Sequence, residues 1–423
     1  MLVRLDLFEE RRDYLEFAVF TLLILLISLS LEFYHYTQLK KHKTAIIKAH
    51  VLNEYTKTTS KKSYKVIKLQ DEYGATFYTT ASTRFHSVKN SDVVIKIWTS
   101  KLNFLSYLKS FYAKGWFLKT TKHHSIRDEL AKKLQTLHKE ADIARIYTAL
   151  YLAKPLTYEL YKRFSALGIS HLFAISGFHL GILSSVLFFL LFWLYKLPHE
   201  RYLPYRNSRR DIFITTAILL LGYVYFLGSP PSLVRAYAML VVGFILYDRG
   251  FEVISMQTLF VAAVLLLALF PRLSFSLGFW LSVSGVYYIL LFLIHFKELP
   301  VWKQFLLVPV WVYLAMLPLS LYIFNNFSFW HPASILFSIL FTLFYPLSLV
   351  LHLIGFGDLL DPLLSWIVHA PLKVYQVTLP TWFIIPYALL SFAALKDKKL
   401  FYSLGMTAFL VLFYTIVYGV YQK

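Results

Sequence analysis

Ser176 and His179 stand three residues apart in an otherwise apolar stretch, 172–195. On a helix they share a face. A hydroxyl beside an imidazole is a nucleophile with its base, so the pair admits an intramembrane hydrolase. His171 and His179 could ligate a metal, but a third ligand is missing nearby. Gly177 and Gly181 form a GxxxG step, continued by Ser184 and Ser185, which suits close helix packing. A second group surrounds Arg235, the only charged residue between Ile212 and Tyr247. Gly228-Ser229-Pro230-Pro231 precedes it and cannot continue a helix. Ser229 is expected to cap a new helix, with Pro230 or Pro231 in its first turn. An arginine at membrane depth is costly and marks a pathway or counter-charge. No acidic residue lies in the membrane stretches around it, which favours an anionic ligand such as phosphate. The alternative is snorkelling to the interface. Ser232 lies in the same turn. A third group, Gly278, Ser282 and Gly285, repeats the small-residue stripe, with Trp280 as an interface anchor.

The next chemistry is charge. Between Lys40 and Lys122 the chain carries seventeen Lys/Arg against four Asp/Glu, most of its net +20. Aromatic residues interleave with these lysines. A basic groove with stacking platforms holds single-stranded nucleic acid without reading sequence. The candidates are Lys61, Lys62, Lys65, Lys68, Tyr64, Phe77, Tyr78, Arg84, Lys96 and Trp98. Competing readings are a solvated lysine-rich face and attraction to anionic headgroups.

Behind these residues stand two kinds of element. Hydrophobic residues make up 58% of the 423, charged ones only 16%, with no Cys, against about 25% charged in a soluble domain. The chain is therefore a polytopic helical membrane protein, without thiol chemistry or Cys-ligated zinc. Uncharged runs at 17–31, 172–195, 212–234, 236–247, 253–271, 273–296, 304–357, 374–395 and 400–422 predict about ten spans, with two in 304–357. The first reads as a retained signal anchor. Basic residues in 196–210 place that loop in the cytoplasm and the 32–171 segment outside. Lys396, Lys398 and Lys399 also belong inside. Seven spans between these loops is an odd number, so one stretch is re-entrant or 361–380 dips in. Runs at 45–51, 64–69, 76–80 and 93–98 read as strands and suit a small five-stranded barrel of the OB type. Residues 125–168 are charged yet helix-periodic. Ser125 and Asp128 suggest a capping box, and the segment can lie on the membrane or beneath the insert. The expected domains are 1–39, 40–122, 123–170 and 171–423.

The three motifs, in order, resemble the ComEC family of competence proteins. His171-Leu172-Phe173-Ala174-Ile175-Ser176-Gly177-Phe178-His179-Leu180-Gly181 is similar to its H-L-L-A-x-S-G-L-H-x-G. Pro231-Ser232-Leu233-Val234-Arg235-Ala236 is similar to P-S-x-x-R-A. Leu277-Gly278-Phe279-Trp280-Leu281-Ser282 is similar to x-G-F-Q-L-S, with Trp280 in place of Gln. The resemblance covers roughly 40–350. It implies a non-enzymatic channel, without cofactor, that moves single-stranded DNA across the bacterial inner membrane during natural transformation, with the insert in the periplasm. The H-x-H-x-D-H run of the family's metallo-β-lactamase-like domain is absent from this sequence, so the expectation is a form lacking that domain. Strand degradation would then fall to another protein. No nucleotide-binding G-x-x-x-x-G-K-[ST] occurs, so partners would include a cytoplasmic ATPase or DNA-processing proteins and a periplasmic DNA receptor. A homo-oligomer is left open. The alternatives are a secondary transporter of a small anionic solute, which fits broken helices, and the hydrolase.

Overall fold

The computed structural model describes residues 10–58, 62–89, 91–122, 126–173, 175–202, 204–250 and 254–421. Lys61, Ser125 and Ala174 lie outside them. Among the described residues two compact units emerge, one drawn from 8–129 with 261–279, the other from 130–260 with 280–423.

In the first unit, α1 (Arg11–Lys40) leads into β1 (Thr44–Thr58), β2 (Ser63–Asp71), β3 (Thr76–Ser82) and β4 (Ser91–Trp98). Then come α2 (Phe104–Lys109), β5 (Phe111–Tyr112) and β6 (Gly115–Lys122). All four predicted strands are present; β1 runs seven residues beyond its predicted end at 51. The sheet order is β5-β3-β2-β1-β4-β6. Its two outermost strands are consecutive in the chain. The Ala113 amide bonds to Tyr78 O on β3, and the Trp98 amide on β4 bonds to Lys114 O, each at 3.0 Å. One segment therefore runs from one edge of the sheet to the other. Inside lie Val51, Ile67, Leu69, Phe77, Ile95, Ile97 and Tyr107. Tyr36 of α1 joins that core, its hydroxyl donating to Leu102 O at 3.2 Å.

The helical unit takes up α3 (Ile126–Leu137) from Leu130 onward, then α4 (Ala141–Leu152), α5 (Tyr158–Ala166), α6 (Ser170–Phe173), α7 (Gly177–Tyr202), α8 (Ser208–Phe226) and α9 (Pro231–Asp248). The boundary between units falls inside α10 (Met256–Leu269) and again inside α11 (Leu277–His295). The chain ends with α12 (Val301–Phe324), α13 (Ser334–Leu353), α14 (Asp361–His369), α15 (Thr381–Ala393) and α16 (Lys398–Tyr421). Every apolar run of the sequence holds a helix, and 304–357 holds two, divided where Asn325 turns left-handed at φ 57°. Six helices among the described residues are long and apolar enough to cross a membrane. They are α1, α7 to Lys196, α11, α12, the stretch His331–Leu353 and α16. α10 and α15 are apolar but only 14 and 13 residues long.

Two local expectations change. Ser229 does not cap α9: Pro230 takes that place and Pro231 opens the helix. Gly228 and Ser229 turn the chain at φ 78° and 51° instead, and the Ser229 amide bonds back to Val224 O at 2.9 Å. The helix-periodic 125–168 segment is divided among α3, α4 and α5. It breaks at 138–140 and again after Leu152, where Ala153 is left-handed. Nine of the twelve residues of α4 are buried, in a core shared with α13 and α14.

Candidate functional site

The first two motifs meet. The Ser232 hydroxyl, in the first turn of α9, donates to Ile175 O at 2.9 Å. A Cβ on Gly177 would lie 3.1 Å from that of Ala236, so this glycine lets α7 and α9 approach. Gly181 behaves differently, since an added Cβ there meets nothing within 4 Å. Its carbonyl accepts from Ser184 and Ser185 instead. Ile175, Leu180, Leu220, Val224 and Leu233 form one core beneath this junction. Arg235 lies one turn into α9 and is half-buried.

Ser176 precedes α7, where unsatisfied amides need acceptors. Its amide donates to His179 Nδ1 at 3.3 Å, and its hydroxyl lies 3.2 Å from the same atom. Nδ1 is therefore bare. The buried imidazole closes the start of α7, as a capping side chain does. The rings of Phe341 and Tyr345 pack edge-on against it at 5.3 and 4.8 Å. His171 is exposed, its Nε2 3.5 Å from Ser338 Oγ. The loop between α5 and α6 is braced from the α12–α13 turn. Ser328 Oγ donates to Ala166 O at 2.7 Å. Gly168 has φ +73°, and a Cβ added there would fall 2.9 Å from the His331 ring, so only glycine fits. His331 and Ser328 carry no signal in the sequence beyond being polar in an apolar run.

The third motif does not share the core of the other two. On its helix, Tyr288, Leu291 and Phe292 pack with Trp311, Tyr387 and Phe401 of α12, α15 and α16. Gly278, Trp280 and Ser282 are exposed.

On the insert, strand register divides the candidates. Lys68 lies opposite Tyr78, its Nζ 5.6 Å from that ring. Tyr64 lies between Lys57 and Ser82. Tyr55 pairs with Val66 and Val66 with Thr80, whose hydroxyl meets that of Tyr112 at 2.9 Å. These residues share the outer face of β1, β2 and β3, with Lys62 at its end. Lys96 and Trp98 belong to the outer face of β4. Lys96 lies between Ile46 and Trp116 in the ladder. Arg84 is exposed in the turn after β3.

Phe77 and Lys65 point the other way. Phe77 is fully buried and stacks on Phe111 at 5.4 Å, so its face is closed to a base. Lys65 lies 2.9 Å from Glu54 and donates to Phe85 O at 2.8 Å. Burial pushes the Glu54 carboxyl up. The bonds from Lys65, the Val88 amide and the Ser87 hydroxyl outweigh that and hold it below the usual range. Lys65 is thus committed to an internal pair. Trp116, Tyr112 and Lys57 are not among the candidates named from sequence; their side is set by register, which pairing alone fixes.

Among known proteins, a family model described as competence protein matches residues 153–420. A protein of Aquifex aeolicus (strain VF5), described only as uncharacterized, is 28% identical over 180 residues, 41% of this chain. The matched part is 39% of that relative's length. No solved structure matches the chain. With the family match spanning well over half of its residues, from α5 to α16, the chain belongs to the competence protein family.

Proposed function

We propose that the protein is an inner-membrane channel passing single-stranded DNA inward during natural transformation, with its insert collecting DNA in the periplasm. The observation that supports this best is the junction of the first two motifs. Ser232 and Gly177 bring a broken helix carrying Arg235 against the start of a membrane helix. A basic group at such a break suits a passing phosphate. About ten spans, some re-entrant, remain the reading of the helical part. A periplasmic receptor and a cytoplasmic ATPase or DNA-processing partner belong to the same proposal.

For the insert, the OB reading is supported by its strand path. β1 joins β2 and β4, β2 joins β3, and the last segment bridges β3 and β4. In that fold the second and third strands and the loop between the first two bind oligonucleotides. Tyr64, Tyr78, Lys68 and Lys62 occupy that region.

A second reading applies to the rest. Charge-free sequence in α1 ends at residue 31, and β1 begins only four residues after Lys40. Ile46, Trp98 and Trp116 lie at this membrane-proximal end of the sheet, where tryptophans anchor at headgroups.

The test is a titration of the full chain in nanodiscs with fluorescent single-stranded DNA across a salt series. Tyr64→Ala with Tyr78→Ala is expected to weaken binding at least tenfold, because stacking contributes about 1–3 kcal/mol per base. Lys62→Gln with Lys68→Gln is expected to flatten the salt slope by about 0.7 per lost phosphate contact. Trp98→Ala with Trp116→Ala is expected to change little. The reverse pattern would move the DNA face to β4 and β6.

A further inference from the structure

The helical unit also buries a titratable cluster that the channel reading does not use. His138 lies in the turn between α3 and α4, with its side chain fully enclosed. Its Nδ1 is 2.9 and 3.0 Å from the two carboxyl oxygens of Asp361, the first residue of α14. Its Nε2 is 3.2 Å from Nε2 of His352, near the end of α13. Nδ1 of His352 in turn lies 2.6 Å from Ser348 O.

Hydrogen counting decides what this arrangement contains. A carbonyl oxygen only accepts, so His352 Nδ1 carries a hydrogen. The contact between the two Nε2 atoms needs one hydrogen on either side. The contact between His138 Nδ1 and Asp361 needs another, on the ring or on the carboxyl. Three contacts need three hydrogens. Two neutral imidazoles beside a carboxylate supply only two. The geometry is complete only with one further proton. That proton can stand on His138, on His352 or on Asp361 without breaking a contact. It moves between these positions by hops within the existing bonds, with no change of oxidation state.

Charge points the same way. With the proton the group is neutral. Without it, the group holds one negative charge in a poorly solvated place, which is costly. The other charged groups facing it do not supply a cation. Asp358, in the turn before α14, adds a further negative charge near His352. Glu140 is engaged by Ser365 at 2.8 Å and His369 at 3.0 Å. Lys139 is exposed. From α4, the Tyr147 ring stacks on His138 at 4.6 Å. Tyr151 reaches Ser348 Oγ at 2.7 Å and His352 Nδ1 at 3.4 Å. The turn packs closely, since a Cβ on Gly357 would fall 2.7 Å from the His352 ring.

We propose that Asp361, His138 and His352 form a proton-binding site that holds one exchangeable proton. Packed polar and aromatic side chains lie between it and the first motif. Tyr151 and Ser348 come first. The Tyr223 hydroxyl donates to Tyr151 O at 3.3 Å, and the Tyr345 ring bears on His179. This reading stands whether or not DNA is the cargo.

The test uses histidine-labelled full chain in nanodiscs, followed by nitrogen NMR across pH. His138→Gln and His352→Gln assign the two rings among the fourteen histidines. In the wild type, both rings are expected to change together in one step, with a resolved coupling between the two Nε2 atoms. Asp361→Asn is expected to lower the proton affinity of that step at least tenfold. Two independent steps, or no Nε2–Nε2 coupling at any pH, would overturn the proposal on the wild type alone, even if Asp361→Asn fails to fold.

Discussion

Arg235→Glu is expected to abolish DNA uptake while the chain stays in the membrane at its normal level. Arg235 lies one turn beyond the helix break, on the helix that Ser232 ties to Ile175. A guanidinium there attracts a phosphate by about 4 kcal/mol at 4 Å with an effective dielectric near 20. Reversing its charge loses that attraction and adds a repulsion of similar size. The combined change far exceeds the roughly 4 kcal/mol that corresponds to a thousandfold in rate. Arg235→Lys keeps the charge but not the planar fork, and is expected to keep a measurable fraction of uptake. Counting transformants against immunoblotted membrane protein checks both. Normal uptake in the Glu variant would remove Arg235 from the path.

Arg272→Met is expected to give a large loss of stability in the unit that holds the insert. Arg272, between α10 and α11, makes a two-pronged pair with Glu32 of α1 at 2.7 and 2.6 Å. Both side chains are more than four-fifths buried. The guanidinium also lies 4.7 Å from the ring of Tyr107, a phenol that burial pushes up to about 12. Removing one partner leaves an uncompensated charge, a loss of about 3–5 kcal/mol. The expected result is a much lower denaturation midpoint, read by protease cleavage within residues 44–122 of the full chain. Adding Glu32→Gln to Arg272→Met is expected to restore much of the loss. A single variant as stable as the wild type would mean that water solvates the pair.

Apolar runs of helical length announce themselves residue by residue, which is why each predicted stretch holds a helix. The break at Gly228-Ser229-Pro230-Pro231 was legible for the same local reason, although the capping residue was not. Residues that depend on distant partners were opaque. Phe77 and Tyr78 are adjacent aromatics in a strand where side chains alternate, and either could have faced out. Pairing with Leu69 and Lys68 decides it. Lys65 reads like its neighbouring lysines until strand pairing brings Glu54 diagonally across from it. His138 and Asp361 are 223 positions apart, and no local pattern joins them. The buried α4 reads as amphipathic because its few charges, such as Arg145, sit at the edge of an enclosed helix.

On the proposed path, DNA passes the junction of α7 and α9. The most direct measurement places a photo-reactive side chain at Gly181, where an added Cβ meets nothing, and irradiates cells during uptake of labelled DNA. Tyr225 on α8, 82% exposed, carries the same probe as a control. Single-stranded DNA is expected to be captured at 181 and not at 225. Uptake proceeding with no DNA captured at 181, or with equal capture at both positions, would contradict it.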